Sequence, residues 1–414
     1  MRKKREKKIL ITLKIISILC IIILVFELGY LIHRKYFNTG ESIYFDSINA
    51  ISYINNNFVS VGSNNNNENH YEKAKLSFYD DKRYKVYEKI YSKDYNSAFF
   101  DVDVSDNTYV AVGSYEASHN DHINGTRKAL IVAYDKDGNV IFDKDFGVLE
   151  NSKFMSVKIV DDGYLVVGQS IYEAMTVGFS SEGGAFLIKY DKNGKIKWKT
   201  NYGESKSAIF NDLYILDDYI YVVGSDYGKV GIILKYDLNG NLLKKMEYQY
   251  TDSFGFTGIA VNDESIFVSG GKRIIGEENS SRIDGLIVKY DFDCNYLDEV
   301  SYDEDMQERF NKILMLDDDN LLIIGSMSSY DKDKTVKDVN VLKYDGVIAK
   351  YKEDLNLIKA VSYGEDRDDH FTDMMVLDNS YLVTGYSSYE DKSYMSKFVI
   401  YSDALKVLEV EWWG

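Results

Sequence analysis

Apolar and polar positions alternate along most of this chain in runs of five to eight residues, broken by Asp, Asn and Gly. FMSVKIV (154–160), YLVVG (164–168), FLIKY (186–190) and KIKWKTN (195–201) make one set of four. A period of two, or a short fully apolar run, predicts strands, and the Asp-Asp-Gly and Lys-Asn-Gly breaks predict tight antiparallel hairpins. The set, strands A to D, recurs seven times. Its second run reappears as FVSVGS (58–63), YVAVGS (109–114), YIYVVGS (219–225), SIFVSGG (265–271), LLIIGS (321–326) and YLVTGYS (381–387).

Spacing is stricter than identity. The strand-C tyrosines Tyr79, Tyr134, Tyr190, Tyr236, Tyr290, Tyr351 and Tyr401 are each followed 12 residues later by an aromatic, from Tyr91 to Trp413. Eight residues beyond come Phe99, Phe154, Phe210, Phe256, Phe310 and Phe371, and the Gly of strand B lies 14 further on, or 15 from Phe310. Ile48 takes the Phe place before Gly62. The same ruler chooses Tyr351 over the similar LKYD at 342–345, which makes 326–347 an extended loop.

Four short strands in about 53 residues, repeated, predict an all-β, seven-bladed β-propeller of four-stranded antiparallel blades. Two β-sandwiches would need no such ruler. The blades are expected at about 44–92, 93–147, 148–203, 204–249, 250–303, 304–364 and 365–414, one propeller over 44–414.

The N-terminus departs from this pattern. MRKKREKK (1–8) is a basic tail, and 9–32 is a nearly continuous apolar run interrupted by Lys14 and Glu27. At ~1.5 Å per residue it spans a ~30 Å hydrocarbon core, and the excess of basic residues before it predicts a cytoplasmic N-terminus. The run is long for a cleaved signal peptide, and no small-residue cleavage pattern follows it. Leu19 before Cys20 does not suit a lipoprotein site. The expectation is one N-terminal transmembrane helix acting as an uncleaved signal-anchor, a short stalk (33–43), and an extracytoplasmic propeller on a single-pass cell-membrane protein.

The Val-x-Lys-Tyr-Asp-x-Asn-Gly-x-x-x-Trp pattern, seen most fully at 186–198, resembles the bacterial seven-bladed β-propeller repeat family and, more distantly, pyrroloquinoline-quinone-type propeller repeats. The resemblance covers roughly 44–414. It implies that strand A is innermost and that the last blade meets the first without an exchanged strand. This chain keeps the strand-D Trp only at Trp198 and replaces the turn Gly in several copies, Cys294 among them, so the blade-to-blade docking of the quinone group is expected to be lost. Nothing supports quinone binding.

Composition narrows function more than fold. Tyr is abundant (36) and Pro absent, which suits strands and polar turns. Beyond residue 40 the formal charge is −24, which disfavours nucleic acid and favours cations or basic partners. The two cysteines, Cys20 and Cys294, leave no disulfide within the propeller.

Length variation is confined to the interval from the strand-B Gly to the strand-C Tyr: 17, 21, 22, 12, 20, 26 and 16 residues. B-to-C loops and D-to-A linkers share one face, so that face is individual and the other uniform. Loops on a rigid scaffold usually carry binding residues. The binding-face candidates are Tyr71, His119, His122, Tyr172, Tyr330 and Asp331.

His119 and His122 are weak metal candidates without a third fixed ligand. Asp135-Lys-Asp137-Gly and Asp191-Lys-Asn193-Gly return to strand D too soon for a calcium loop. The acidic linkers offer Asp303, Asp305, Asp366 and Asp368 as weak ligands, calcium being the ion they suit; no cofactor is otherwise indicated. No nucleophile elbow, P-loop or dinucleotide fingerprint occurs. The leading expectation is a non-catalytic binding or scaffold module for a protein or glycan. The alternative is an extracellular polysaccharide hydrolase or lyase using linker carboxylates, and a third is a purely structural envelope protein.

Overall fold

The structure, a computed structural model, describes residues 46–413 except 55–56, 66–70, 92, 94, 106–107, 118–126, 148–150, 172–183, 203–207, 227–229, 250, 276–280, 305–306, 337–338, 365–367 and 389–393. The expected membrane span at 9–32 and the stalk lie outside the described residues. Among the described residues no helix is long and apolar enough to cross a membrane.

Those residues form 28 strands in consecutive fours. The first unit is β1 (Asp46–Ile54), β2 (Asn57–Asn64), β3 (Lys73–Tyr79) and β4 (Lys85–Tyr91). The second is β5 (Ser97–Ser105), β6 (Thr108–Glu116), β7 (Arg127–Asp135) and β8 (Val140–Phe146); the third is β9 (Asn151–Val160), β10 (Gly163–Ile171), β11 (Gly184–Asp191) and β12 (Ile196–Tyr202). Next come β13 (Ile209–Leu216), β14 (Tyr219–Asp226), β15 (Val230–Asp237) and β16 (Leu242–Gln249), then β17 (Thr251–Val261), β18 (Ile266–Ile275), β19 (Ser281–Tyr290) and β20 (Tyr296–Tyr302). The sixth is β21 (Glu308–Met315), β22 (Leu321–Val336), β23 (Val339–Tyr351) and β24 (Leu357–Tyr363); the last is β25 (Asp369–Leu377), β26 (Ser380–Ser388), β27 (Tyr394–Ser402) and β28 (Val407–Trp413).

Within each unit the strands pair antiparallel in chain order, and one parallel bridge, Arg127 to Asn151, joins the second unit to the third. The first strands lie against one another in turn, and β25 lies against β1. Strand A is therefore innermost, and among the described residues no strand is borrowed between the two ends of the chain.

The segment 326–347 corrects the sequence reading. It is no loop: β22 and β23 continue as a long antiparallel hairpin, with Ser326 opposite Gly346 and Val336 opposite Val339. The alternation in SMSSYDKDKTV and VNVLKYDG satisfies a two-stranded ribbon as well as a strand core, and spacing alone cannot separate a long loop from a long hairpin.

The ruler has a physical origin. Each marker Phe pairs with its strand-B Gly, as in Phe99 with Gly113 and Phe371 with Gly385, and a β-bulge follows at once. A Cβ on Gly113 would stand 1.9 Å from the Ala98 carbonyl oxygen, so the bulge admits only glycine. The six Phe rings are buried. Each touches the aromatic that ends the preceding unit, as Phe310 does Tyr302 at 5.7 Å between centroids, and four of them also touch the strand-C tyrosine of their own unit, as Phe310 does Tyr351 at 6.4 Å. Each such ring contributes roughly 1.5–3 kcal/mol by burial, so the ruler measures inter-unit packing.

A second repeated device lies in the C-to-D turns. The residue four beyond each strand-C Tyr has positive φ: Arg83, Gly138, Gly194, Gly240, Cys294, Leu355 and Leu405. Where it is Gly, an aromatic of the preceding unit covers it: Tyr87 over Gly138, Phe142 over Gly194, Trp198 over Gly240. Where the preceding unit offers Lys244, Asp298 or Lys359 at that place, Cys294, Leu355 or Leu405 supplies the bulk and is itself buried. A Trp covers the turn Gly at the joint of Trp198 and Gly240, and at the Cys294, Leu355 and Leu405 turns the large side chain has moved across the joint.

Candidate functional site

Bulging at the marker Phe turns the next side chain toward the neighbouring unit. Asn49 donates to the Phe99 carbonyl at 2.7 Å, Asn211 to Phe256 at 2.8 Å, Thr257 to Phe310 at 2.7 Å, Asn311 to Phe371 at 3.1 Å, and Thr372 to Ile48 at 2.6 Å. One residue further along these innermost strands stand Ala50, Asp101, Ser156, Asp212, Gly258, Lys312 and Asp373. Here a polar cluster assembles. Ser156 donates to Asp101 at 2.7 Å or to Asp212 at 3.0 Å, and Lys312 Nζ lies 3.4 Å from Asp212. Asp101 also accepts from the Val157 amide and Asp373 from the Ile51 amide, both at 2.9 Å.

Burial works against the Lys312 ammonium, yet Asp212, Asp373 and Asp101 outweigh it and raise its pKa. Burial, offset partly by Lys312, pushes Asp373 up to about 6. The cluster thus carries its own cation. Nothing in the sequence reading pointed to it, because three aspartates and a lysine on four different strands look like ordinary alternation; only the Phe+2 register unites them.

The loop-bearing face holds the second constellation. Rings of Tyr344, His370, Tyr386 and Tyr394 form a chain with centroids 5.5, 5.1 and 5.6 Å apart, and all four keep partial exposure. They come from the base of the long hairpin and from the adjoining ends of β25, β26 and β27. Burial lowers the His370 pKa, with Asp368 and Asp369 opposing, which favours the neutral ring. Beneath it Lys397 pairs with Asp369, both fully buried. Sequence reasoning missed this chain of rings, since its members lie up to 50 residues apart.

Of the predicted site residues, Tyr71 lies on the same face, packed edge-on against Tyr95 at 5.7 Å with the Lys73 ammonium 5.5 Å from its ring. Tyr330 and Asp331 lie on the β22 arm of the hairpin. His119, His122, Tyr172, Asp305 and Asp366 lie outside the described residues. Asp303 meets Asp284 and Glu308, with carboxylate oxygens within 4.8 Å of one another. Arg282 pairs with both Asp284 (3.1 Å) and Asp303, so a cation of this chain already serves two of the three carboxylates. Asp368 is engaged by the Tyr344 amide at 2.9 Å. The turn aspartates are similarly occupied: Asp135 accepts from the amides of Asp137 and Asn139, and Asp191 from those of Asn193 and Lys195, all at 2.8–2.9 Å. These are hairpin turns stabilised by their own Asp.

No protein-family model matches the chain, and no curated protein sequence matches it. Among solved structures it is similar to the Pan2 WD40 domain of Neurospora crassa, at 10% identity over 84% of this chain and 88% of that one, with a TM-score of 0.51. It is also similar to the β-propeller domain of the Trilobed protease from Pyrococcus furiosus, described as having an open velcro topology, at 10% identity over 87% and 94%, TM-score 0.51. At such identities the likeness establishes the fold, a β-propeller.

Proposed function

We propose that the seven four-stranded units close into one seven-bladed propeller, carried outside the cell membrane by the span at 9–32, and that it binds a protein or glycan partner non-catalytically through the B-to-C loop face. The observation that carries the binding role is the long β22–β23 hairpin rising beside the Tyr344–His370–Tyr386–Tyr394 rings. Partly exposed aromatics held on a rigid sheet lose little entropy when they accept a partner's apolar surface or a sugar face. The ring-closing bond from Thr372 to Ile48 repeats the bond used between other units and supports the blade count.

A non-catalytic role fits carboxylates already engaged by Arg282, Lys397, Lys312 and backbone amides. The test replaces 329–342 by a two-residue turn and changes Tyr386 to Ala. Binding to an array of cell-surface glycans and extracellular proteins should fall at least tenfold in both variants, with thermal unfolding of the hairpin variant within about 2 °C of the parent, as for a surface element. Unchanged binding by both variants refutes the assignment.

A further inference from the structure

The first and last units meet at a joint unlike the others. The turn residue there is Arg83, whose φ of 69° matches its six counterparts but whose side chain does not pack down as Leu355 and Leu405 do. It reaches sideways to Glu409 and, at 3.5 Å, to Glu411 on β28. Beside it lies a cavity of about 430 Å³ over Phe58, walled by Tyr53, Asp81, Arg83, Val376 and Asp378. It opens on the face of the A-to-B and C-to-D turns, opposite the loop-bearing face.

Its chemistry selects a guest. Tyr53 and Val376 are each 45% exposed and offer an aromatic and an aliphatic wall. Arg83 is paired with two glutamates, and among the described residues Asp81 and Asp378, which line the cavity, have no ion-pair partner, on a chain of −24 beyond residue 40. A cation on an aliphatic stem satisfies both features, and a tyrosine face adds cation–π attraction. The volume is ordinary for a small-group site. We propose that this pocket receives a Lys or Arg side chain of a partner polypeptide, its stem along Tyr53 and Val376 and its charge toward Asp81 and Asp378. The site is independent of the loop-face assignment above.

The test uses the full-length chain and three capped tripeptides, Gly-Lys-Gly, Gly-Arg-Gly and Gly-norleucine-Gly, followed by saturation-transfer NMR. The basic peptides should bind in the millimolar range and the norleucine peptide at least tenfold more weakly. Asp81→Asn with Asp378→Asn should weaken the basic peptides about tenfold, and Tyr53→Ala several-fold. Asp135→Asn with Asp137→Asn, in the second unit's turn, should leave them unchanged. Thermal unfolding of each variant establishes that it is folded. Equal binding of norleucine, equal weakening by the Asp135/Asp137 pair, or no binding by either basic peptide overturns the proposal.

Discussion

At the scale of single residues, the chain solves one steric problem in two ways. At the joint between the third and fourth units the Trp198 ring sits where a Cβ on Gly240 would be, 2.7 Å away; two joints later the bulk belongs to Leu355 instead. Gly240→Leu alone should therefore destabilise by about 2–4 kcal/mol, through overpacking and strain at φ +82°. Adding Trp198→Ala should recover at least 1 kcal/mol of that loss in a double-mutant cycle followed by urea denaturation. Additive effects would refute the reciprocal packing.

Asp373 makes a different residue-scale prediction. Its folded pKa, about 6, lies above the unfolded carboxylate value, so its contribution to stability is full below about pH 4 and is lost as the pH rises through 6. Carboxylates held low, such as Asp162 at about 2, act oppositely and matter only below that window. The difference between about 6 and the ordinary carboxylate value is worth about 3 kcal/mol. Asp373→Asn should gain stability over the parent at pH 7 relative to pH 4 by up to that amount, measured by urea denaturation at both values. An offset that does not change with pH would exclude the assignment.

At the scale of elements, strands and their order were legible from alternation, turn residues and the 12, 8, 14 spacing, because the 8-residue step joins two rings in contact at six joints and the step to the strand-B Gly joins a strand pair. The aromatic after strand D, the marker Phe and the strand-B Gly all meet at a joint. What stayed hidden were features whose partners lie far apart in sequence. Spacing alone does not tell the β22–β23 hairpin from a loop, and Asp101, Asp212, Lys312 and Asp373 converge only because four bulges share a register. The Asn and Thr of those bulges give an element-scale prediction. Thr372→Val, which keeps shape and removes the donor to Ile48, should cost about 1 kcal/mol. Asn211→Ala, at an internal joint, should cost a similar amount in the same denaturation measurement. A negligible loss at Thr372 alone would mean that the last joint is held by other contacts.

At the scale of the whole molecule, the joint between the ends is the one place where the peptide chain does not itself tie neighbours together. Asp46 stands in for that tie: it accepts from Lys75 of its own unit at 2.6 Å and from Ser396 of the last. Ile48, Ile51 and Phe58 pack there against Met375, Leu382 and Phe398. Lys75 is almost wholly buried, so Asp46→Ala should cost about 3–5 kcal/mol by stranding its charge. Replacing Lys75 by Met on that background should restore most of the loss in equilibrium unfolding, since the pair itself, unlike its broken half, is of small net value. Failure of the second change to rescue would assign the loss to the Ser396 bond instead.

Because every unit is one uninterrupted stretch of chain, each has all the strands of its own sheet once its fourth strand has been synthesised. Among the described residues no strand pairs with a partner hundreds of residues away. That architecture permits assembly in order from the first unit, with the joint between first and last units left to side-chain contacts such as those of Asp46 with Lys75 and Ser396.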